Sequence, residues 1–271
     1  MDSHTITAVL LGIVEGLTEF LPVSSTGHLI LATELLGFNA AEWDVFNVVI
    51  QLPAILAVVV LYWRTFVEVG AGALRREPDS LHFVRNVLVA FIPSAILGVL
   101  LKKKIDTLME TPSVVAAALV VGGVLILVIE RLARQGEYQP VSKLPLHKAL
   151  AVGVMQCLAM VPGMSRSAST IMGALSMGIN RKTAAEFSFF LAVPTMFGAT
   201  AKQLWDHRSE LAAGTSTVGW SDIAVGGVTS FIVSLVVIKL FVTYIGRHGF
   251  APFAWYRIVV GAAALVWLLG V

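Results

Sequence analysis

The sequence predicts an all-α membrane protein with six transmembrane helices and two re-entrant helical hairpins, arranged as an inverted-topology repeat. Three observations predict it. Of the 271 residues, 57% are hydrophobic and 13% charged, with mean hydropathy +0.84; a soluble domain carries about 25% charged residues. Uncharged runs also reach helix length: Val45–Trp63 and Thr111–Ile129 hold 19 residues each, and Asn86–Leu101 and Ile223–Ile238 hold 16 each. A membrane β-barrel would show weaker, alternating segments of about ten residues, so a barrel is excluded. Finally, the chain says one thing twice. Gly12-Ile13-Val14-Glu15-Gly16-Leu17 recurs as Gly153-Val154-Met155-Gln156-Cys157-Leu158, and Leu36-Gly37-Phe38-Asn39 recurs as Met177-Gly178-Ile179-Asn180. Phe46 and Pro53 recur as Phe187 and Pro194, all at one offset of 141 residues, close to half the chain.

Taken in order, the first half reads as a hairpin over about 5–36, broken at Leu21–Gly27, then spans over about 44–64, 82–101 and 112–131. A polar linker over about 132–147 follows. The second half reads as a hairpin over about 148–178, broken at Val161–Ser167, then spans over about 185–205, 221–243 and 251–270. The hairpin arms are too short to cross. Ser3–Val14 and Phe20–Thr33 lack charge but hold 12 and 14 residues, against the roughly 20 that a spanning helix needs. Between them Pro22 removes a backbone donor and disfavours helix before it, and Gly27 allows conformations other residues avoid. Broken backbone inside a bilayer is tolerated where protein buries it or water reaches it. Three spans per half is an odd number, so the halves, about 5–131 and 148–270 of a single membrane domain 1–271, insert in opposite orientations. The hairpins then meet near the middle, where such proteins place ligands.

Orientation follows from Lys and Arg. One predicted face carries 13 of them, including Arg64, Arg131, Arg181, Arg247 and Arg257; the other carries 5, namely Lys102, Lys103, Lys104, Lys202 and Arg208. The positive-inside rule puts the first group in the cytoplasm and both termini outside. The Lys102–Lys104 cluster runs against this. Met1-Asp2-Ser3-His4 has no basic n-region, so no cleavable signal peptide is expected. Cys157 is the single cysteine, which excludes an intramolecular disulfide and suits a small packing residue. The net charge of +2 is spread over loops and gives no reason to expect nucleic acid.

The two copies differ where chemistry would sit. Glu15 and Glu19 share a helical face in the first arm, and Gln156 and Met160 stand opposite them in the second. Charges in a bilayer are costly and usually face a cavity or a partner. Two structural carboxylates paired with Arg are the plainer reading. After Pro22, Ser24-Ser25-Thr26-Gly27-His28 offers hydroxyls, an imidazole and the free amides of a helix start, which suit anions. The counterpart, Pro162-Gly163-Met164-Ser165-Arg166-Ser167-Ala168-Ser169-Thr170, places Arg166 between the uncharged runs Ala149–Ser165 and Ser167–Asn180. Its planar fork suits phosphate oxygens; an Arg paired with Glu15 or Glu19 alone is the alternative. Carboxylates beside phosphate-binding groups point to a divalent cation such as Mg²⁺. The inventory fits phosphoryl chemistry on a lipid-borne substrate better than acyl transfer. Glu186 and Arg257 read as interfacial anchors near span ends, with Arg257 also within reach of a phosphate; Gln51 is a candidate cavity residue.

These two segments, Glu15-Gly-Leu-Thr-Glu19-Phe-Leu-Pro-Val-Ser-Ser25-Thr-Gly-His28 and Pro162-Gly-Met-Ser165-Arg166-Ser-Ala-Ser-Thr170, resemble the signature motifs of the undecaprenyl-diphosphate phosphatase family of bacteria, the membrane family linked with bacitracin resistance. The resemblance covers essentially the whole chain. It implies hydrolysis of undecaprenyl diphosphate to undecaprenyl phosphate and inorganic phosphate, recycling the carrier for peptidoglycan, in the bacterial inner membrane with the site facing outside. The expected catalytic set is Glu19, Ser25, His28 and Arg166. Ser24, Thr26, Ser165, Ser167 and Thr170 are expected to bind substrate, and Glu15 and Glu19 to hold Mg²⁺ or Ca²⁺. The attacking group is Ser25 or a water, activated by His28 or Glu19; a seryl-phosphate route would need His28 as base, and a single displacement only an oriented water. Pro53 departs from the small residue expected there. A polyprenyl-phosphate flippase is the alternative, and a homodimer is left open.

Overall fold

A computed structural model describes residues 3–35, 40–134, 136–206, 208 and 219–270. Every regular element among them is helical. The first half contains α1 (Ser3–Thr18), α2 (Ser25–Leu35), α3 (Ala40–Val49), α4 (Gln51–Leu61), α5 (Trp63–Leu74), α6 (Pro78–Leu100), α7 (Lys102–Met109) and α8 (Pro112–Leu132). The second contains α9 (Leu146–Gln156), α10 (Arg166–Ser176), α11 (Arg181–Asp206), α12 (Trp220–Ile245) and α13 (Ala251–Leu269). Short 3₁₀ turns occupy Val141–Lys143 and Cys157–Met160.

Among the described residues five helices, α6, α8, α11, α12 and α13, are long and apolar enough to cross a membrane. The sixth span is not one rod. Val45–Leu61 and Trp63–Leu74 meet at 76°, and the expected span over 44–64 is itself interrupted at Ile50, between α3 and α4. Pro53 falls in the first turn of α4, where its missing N–H costs no helical bond. Its neighbour supplies the small residue: a Cβ at Gly227 of α12 would lie 2.9 Å from Pro53 Cγ. The short helices α5 and α7 were not expected. Outward residues such as Leu88, Ile92, Ile96 and Val99 on α6, and Val228, Ile232, Val236 and Leu240 on α12, are exposed at helical spacing. That apolar exterior is what lipid requires.

The repeated glycines mark helix crossings. A Cβ at Gly16 would lie 2.8 Å from Ser230 O and 2.7 Å from Val233 Cβ on α12, and one at Gly153 would lie 2.7 Å from Ala90 Cα on α6. Each first arm therefore packs closely on the middle span of the other half, as small residues permit in membranes. The pairs α8 with α13 and α4 with α11 also pack together. The second arms match without slippage: α2 and α10 begin at Ser25 and Arg166 and end at Leu35 and Ser176. The part of the repeat at Leu36–Asn39 lies outside the described residues.

The bundle has two distinguishable ends. At one, Lys102 Nζ meets Asp206 Oδ2 at 2.6 Å, Thr5 Oγ1 donates to Asp222 at 3.0 Å, and His4 stacks on Trp43. At the other, Glu130 accepts from Arg181 Nη2 at 2.9 Å and from the Phe250 amide at 2.8 and 2.9 Å. The α1–α2 pair starts from the Lys102 end. The α9–α10 pair starts from the Arg181 end, where Lys148 Nζ donates to Met177 O at 2.8 Å. Both Ser3 and Leu269 lie toward the Lys102 end, by the alternation of the spans.

Candidate active site

The two broken segments touch. Ser167 Oγ donates to Leu21 O at 2.7 Å, and a Cβ at Gly27 would lie 3.5 Å from Gly163 Cα. Their local geometry is the same. Ser24 and Ser165, 141 positions apart, take φ of 75° and 74°, a region that side chains other than glycine rarely occupy. Each hydroxyl accepts from the amide three residues on, Gly27 N and Ala168 N, both at 3.2 Å. Each serine thus caps its helix. Two helix N-termini, with their positive dipole ends, are directed at one place.

That place is the floor of a cavity of about 530 Å³, lined there by Glu19, Ser24, Ser25, Thr26, Ser165 and Arg166. Its walls include Gln51, Ser94, Gln156, Phe91 and Met196, and its far end reaches Lys102 and Lys202 at the Lys102 end of the bundle. The Gln51 expectation is met. Glu19 is the hub: Ser25 Oγ donates to Glu19 Oε2, and Arg166 Nη2 lies 3.4 Å from Oε1. Arg166 is held from behind, its Nη1 donating to Ser188 O at 2.9 Å and Ser188 Oγ at 3.4 Å. One carboxylate from the first half is therefore shared by a hydroxyl beside it and a guanidinium from the second half.

Other expected residues stand one step back. Thr170 is fully buried, its hydroxyl donating to Arg166 O at 2.9 Å and sharing a 2.7 Å bond with Ser188 Oγ; Ser167 ties the second break to Leu21 and shares a 3.0 Å bond with Ser165. Both shape the floor without lining it. His28 does not reach Ser25: Nδ1 bonds Ser24 O at 2.7 Å, and Nε2 bonds Tyr256 Oη at 2.8 Å. Glu15 is fully buried in α1, and neither carboxylate oxygen has a hydrogen-bond partner among the described residues. Nearby on the facing helix, Ser230 and Ser234 are also buried with unpartnered hydroxyls.

Sequence reasoning placed Arg257 at an interface; the structure corrects this. Arg257 is fully buried, the seventh residue of α13, and donates to carbonyls of both breaks. Its signal was legible: an Arg within an otherwise apolar span, which is as costly as Arg166. Ser188 and Tyr256, by contrast, carried no motif.

Comparison with known proteins identifies the family. The family model described as Bacitracin resistance protein BacA matches residues 8–263. A protein of Novosphingobium aromaticivorans named undecaprenyl-diphosphatase is 67% identical over 263 residues, covering 97% of each chain. One of Sphingopyxis alaskensis with the same name is 54% identical over 262 residues, again covering 97% of each. One of Paramagnetospirillum magneticum named undecaprenyl-diphosphatase 2 is 49% identical, covering 97% of this chain and 98% of its own. With a match along nearly its whole length, and with both motifs brought to one cavity floor, this chain belongs to the bacitracin resistance protein BacA family.

Proposed function

We propose that this chain is an undecaprenyl-diphosphatase, hydrolysing undecaprenyl diphosphate to undecaprenyl phosphate and inorganic phosphate and so recycling the envelope lipid carrier. The observation that carries it is Glu19, held between Ser25 Oγ and Arg166 where two helix starts meet. The cavity's apolar walls, Phe91, Ala95, Val99, Met160 and Met196, suit the start of a polyprenyl tail. Its polar floor suits a diphosphate.

The terminal phosphoryl group sits on the floor, with Arg166, Thr26 and the two helix starts neutralising its oxygens. Ser25 Oγ passes its proton to Glu19 and attacks phosphorus in line; the bond to the bridging oxygen breaks and undecaprenyl phosphate departs. The departing undecaprenyl phosphate takes that proton from Glu19; water then attacks the seryl phosphate, the Ser25 Oγ–phosphorus bond breaks, and Glu19 takes the water's proton and returns it to Ser25 Oγ. A single displacement by a water held on Glu19 balances equally. The base role falls to Glu19 because both ring nitrogens of His28 are engaged elsewhere. His28 and Tyr256 brace the start of α2. Single-turnover trapping in ¹⁸O-water separates the two routes: a phosphorylated Ser25 peptide supports the first, and its absence under trapping supports the second.

A divalent cation, Mg²⁺ or Ca²⁺, fits the donors. Both Glu15 oxygens are buried without partners and Glu19 is one turn away. Among the described residues no three His, Cys, Asp or Glu side chains assemble a metal site, so substrate oxygens and water would complete the shell, as Mg²⁺ accepts. Glu15 and Glu19 would hold the ion, which would neutralise charge developing on the departing undecaprenyl phosphate.

The breaks, the shared positive-φ serines and the reciprocal packing support two re-entrant hairpins in inverted repeats. We place the protein in the bacterial inner membrane with both termini and the cavity mouth outside. The charge count supports this, standing at 12 against 5 once Arg257 leaves the inner face, and so does the common end of termini and mouth. A flippase is the second reading, favoured by one observation. A second cavity of about 490 Å³ at the opposite end is lined by Leu21, Tyr244, Arg247 and His248, so the first break separates two cavities. Phosphate release in detergent supports the enzyme; lipid transport by liposome-reconstituted protein without release would support the flippase alone.

A further inference from the structure

Arg257 uses every donor it has. Nε donates to Leu119 O at 3.3 Å, Nη1 to Pro22 O at 3.1 Å and Met164 O at 3.0 Å, and Nη2 to Ala118 O at 3.3 Å and Gly163 O at 2.8 Å. An arginine has five N–H groups, and here all five end on main-chain carbonyls. Three belong to the two breaks, one from the first and two from the second; the other two belong to α8. Those α8 carbonyls are already inside a helix, and the guanidinium reaches them because Gly122 has no side chain. A Cβ there would lie 2.7 Å from Arg257 Cζ.

We propose that Arg257 is a positioning residue that locks the two broken segments in register and thereby sets the Glu19–Ser25–Arg166 geometry. It lines neither of the two cavities described above, and it acts through Pro22, Gly163 and Met164. Pro22 is three residues from Ser25, and Met164 is two from Arg166. Within the breaks, Ser167 Oγ makes one cross-link, to Leu21 O at 2.7 Å; Arg257 bonds carbonyls of both breaks from a third element. A single planar fork satisfies both at once. Lysine cannot: one ammonium has three donors and no fixed fork. The alternative is a purely structural arginine that holds the whole bundle, and the two differ in where its loss is felt.

The proposal rests on the diphosphatase reading, and its test has a readout independent of turnover. Arg257→Lys and Gly122→Ala are purified beside the unchanged protein. Amide hydrogen exchange is followed by mass spectrometry in peptides covering both breaks and in peptides from α6 and α11. Exchange is expected to rise at least tenfold in both breaks together, with α6 and α11 within twofold. Where phosphate release is measured, kcat is expected to fall about 100-fold with KM within threefold, the scale of a misplacement near 1 Å. Equal acceleration in all peptides, a rise in one break alone, or kcat within threefold in Arg257→Lys overturns the proposal. If the unchanged protein releases no phosphate yet the paired exchange rise occurs, the functional reading fails and the positioning role stands.

Discussion

Replacing Arg166 by Lys keeps one positive charge at the cavity floor and removes the fork. The guanidinium spans two partners, Ser188 O at 2.9 Å from Nη1 and Glu19 Oε1 at 3.4 Å from Nη2. A single ammonium on a shorter reach can serve one of them. A hydrogen bond to a charged group contributes about 1.5–3 kcal/mol, which corresponds to roughly 10- to 150-fold in rate if it is felt in the transition state. The lost contact orients both Glu19 and the phosphoryl group, so kcat/KM is expected to fall by about 100-fold. Thermal stability should change little, because the charge still faces a carboxylate and avoids the several kcal/mol cost of an unpaired buried ion. The assay is inorganic phosphate release from a polyprenyl diphosphate in detergent, with the melting temperature of the same preparation. A Lys variant within threefold of the unchanged protein would refute the bidentate role of Arg166.

Other substitutions probe other parts of the account. Ser25→Ala is expected to lower kcat by about 10³-fold or more, and His28→Ala by less than tenfold. A loss of 10²- to 10⁴-fold on removing His28, the range for a general base, would return that role to the imidazole. Gly16→Val and Gly153→Val each drive a side chain into a facing helix and are expected to destabilise by about 1–3 kcal/mol, read as a lower melting temperature. Unchanged melting would show that these crossings are looser than the geometry states. Excess chelator should abolish phosphate release, and Glu15→Gln should raise the Mg²⁺ concentration needed for half-maximal rate at least tenfold; full activity in chelator removes the metal.

The chain states its spans, its breaks and its two polar segments openly, because lipid forbids exposed charge and free backbone groups. Five spans therefore fall within a few residues of expectation. The expected 44–64 span did not survive whole. Val45–Trp63 is uncharged throughout, and nothing in its composition distinguishes a straight rod from one interrupted at Ile50 and bent beyond Leu61. The offset of 141 located Ser24 opposite Ser165, but their shared φ depends on three-dimensional closure of each break. Sequence ranks residues by chemistry and motif, so His28, Ser167 and Thr170 read as site residues. The structure shows that a polar residue near a break serves either the cavity or the scaffold behind it, according to which way its helix turns. Arg257 was undervalued because it stands seven residues into its span, where a count from the ends suggests an interface.

If one site is built from both halves, Glu19 and Arg166 act as a unit. The direct measurement is a double-mutant comparison of phosphate release from undecaprenyl diphosphate by purified protein: unchanged, Glu19→Gln, Arg166→Ala, and both together. Residues that act as a unit are strongly non-additive. Each single change is expected to remove nearly all turnover, and the double variant to be no worse than the weaker single one. Full activity in either single variant, or losses that multiply in the double, would contradict it.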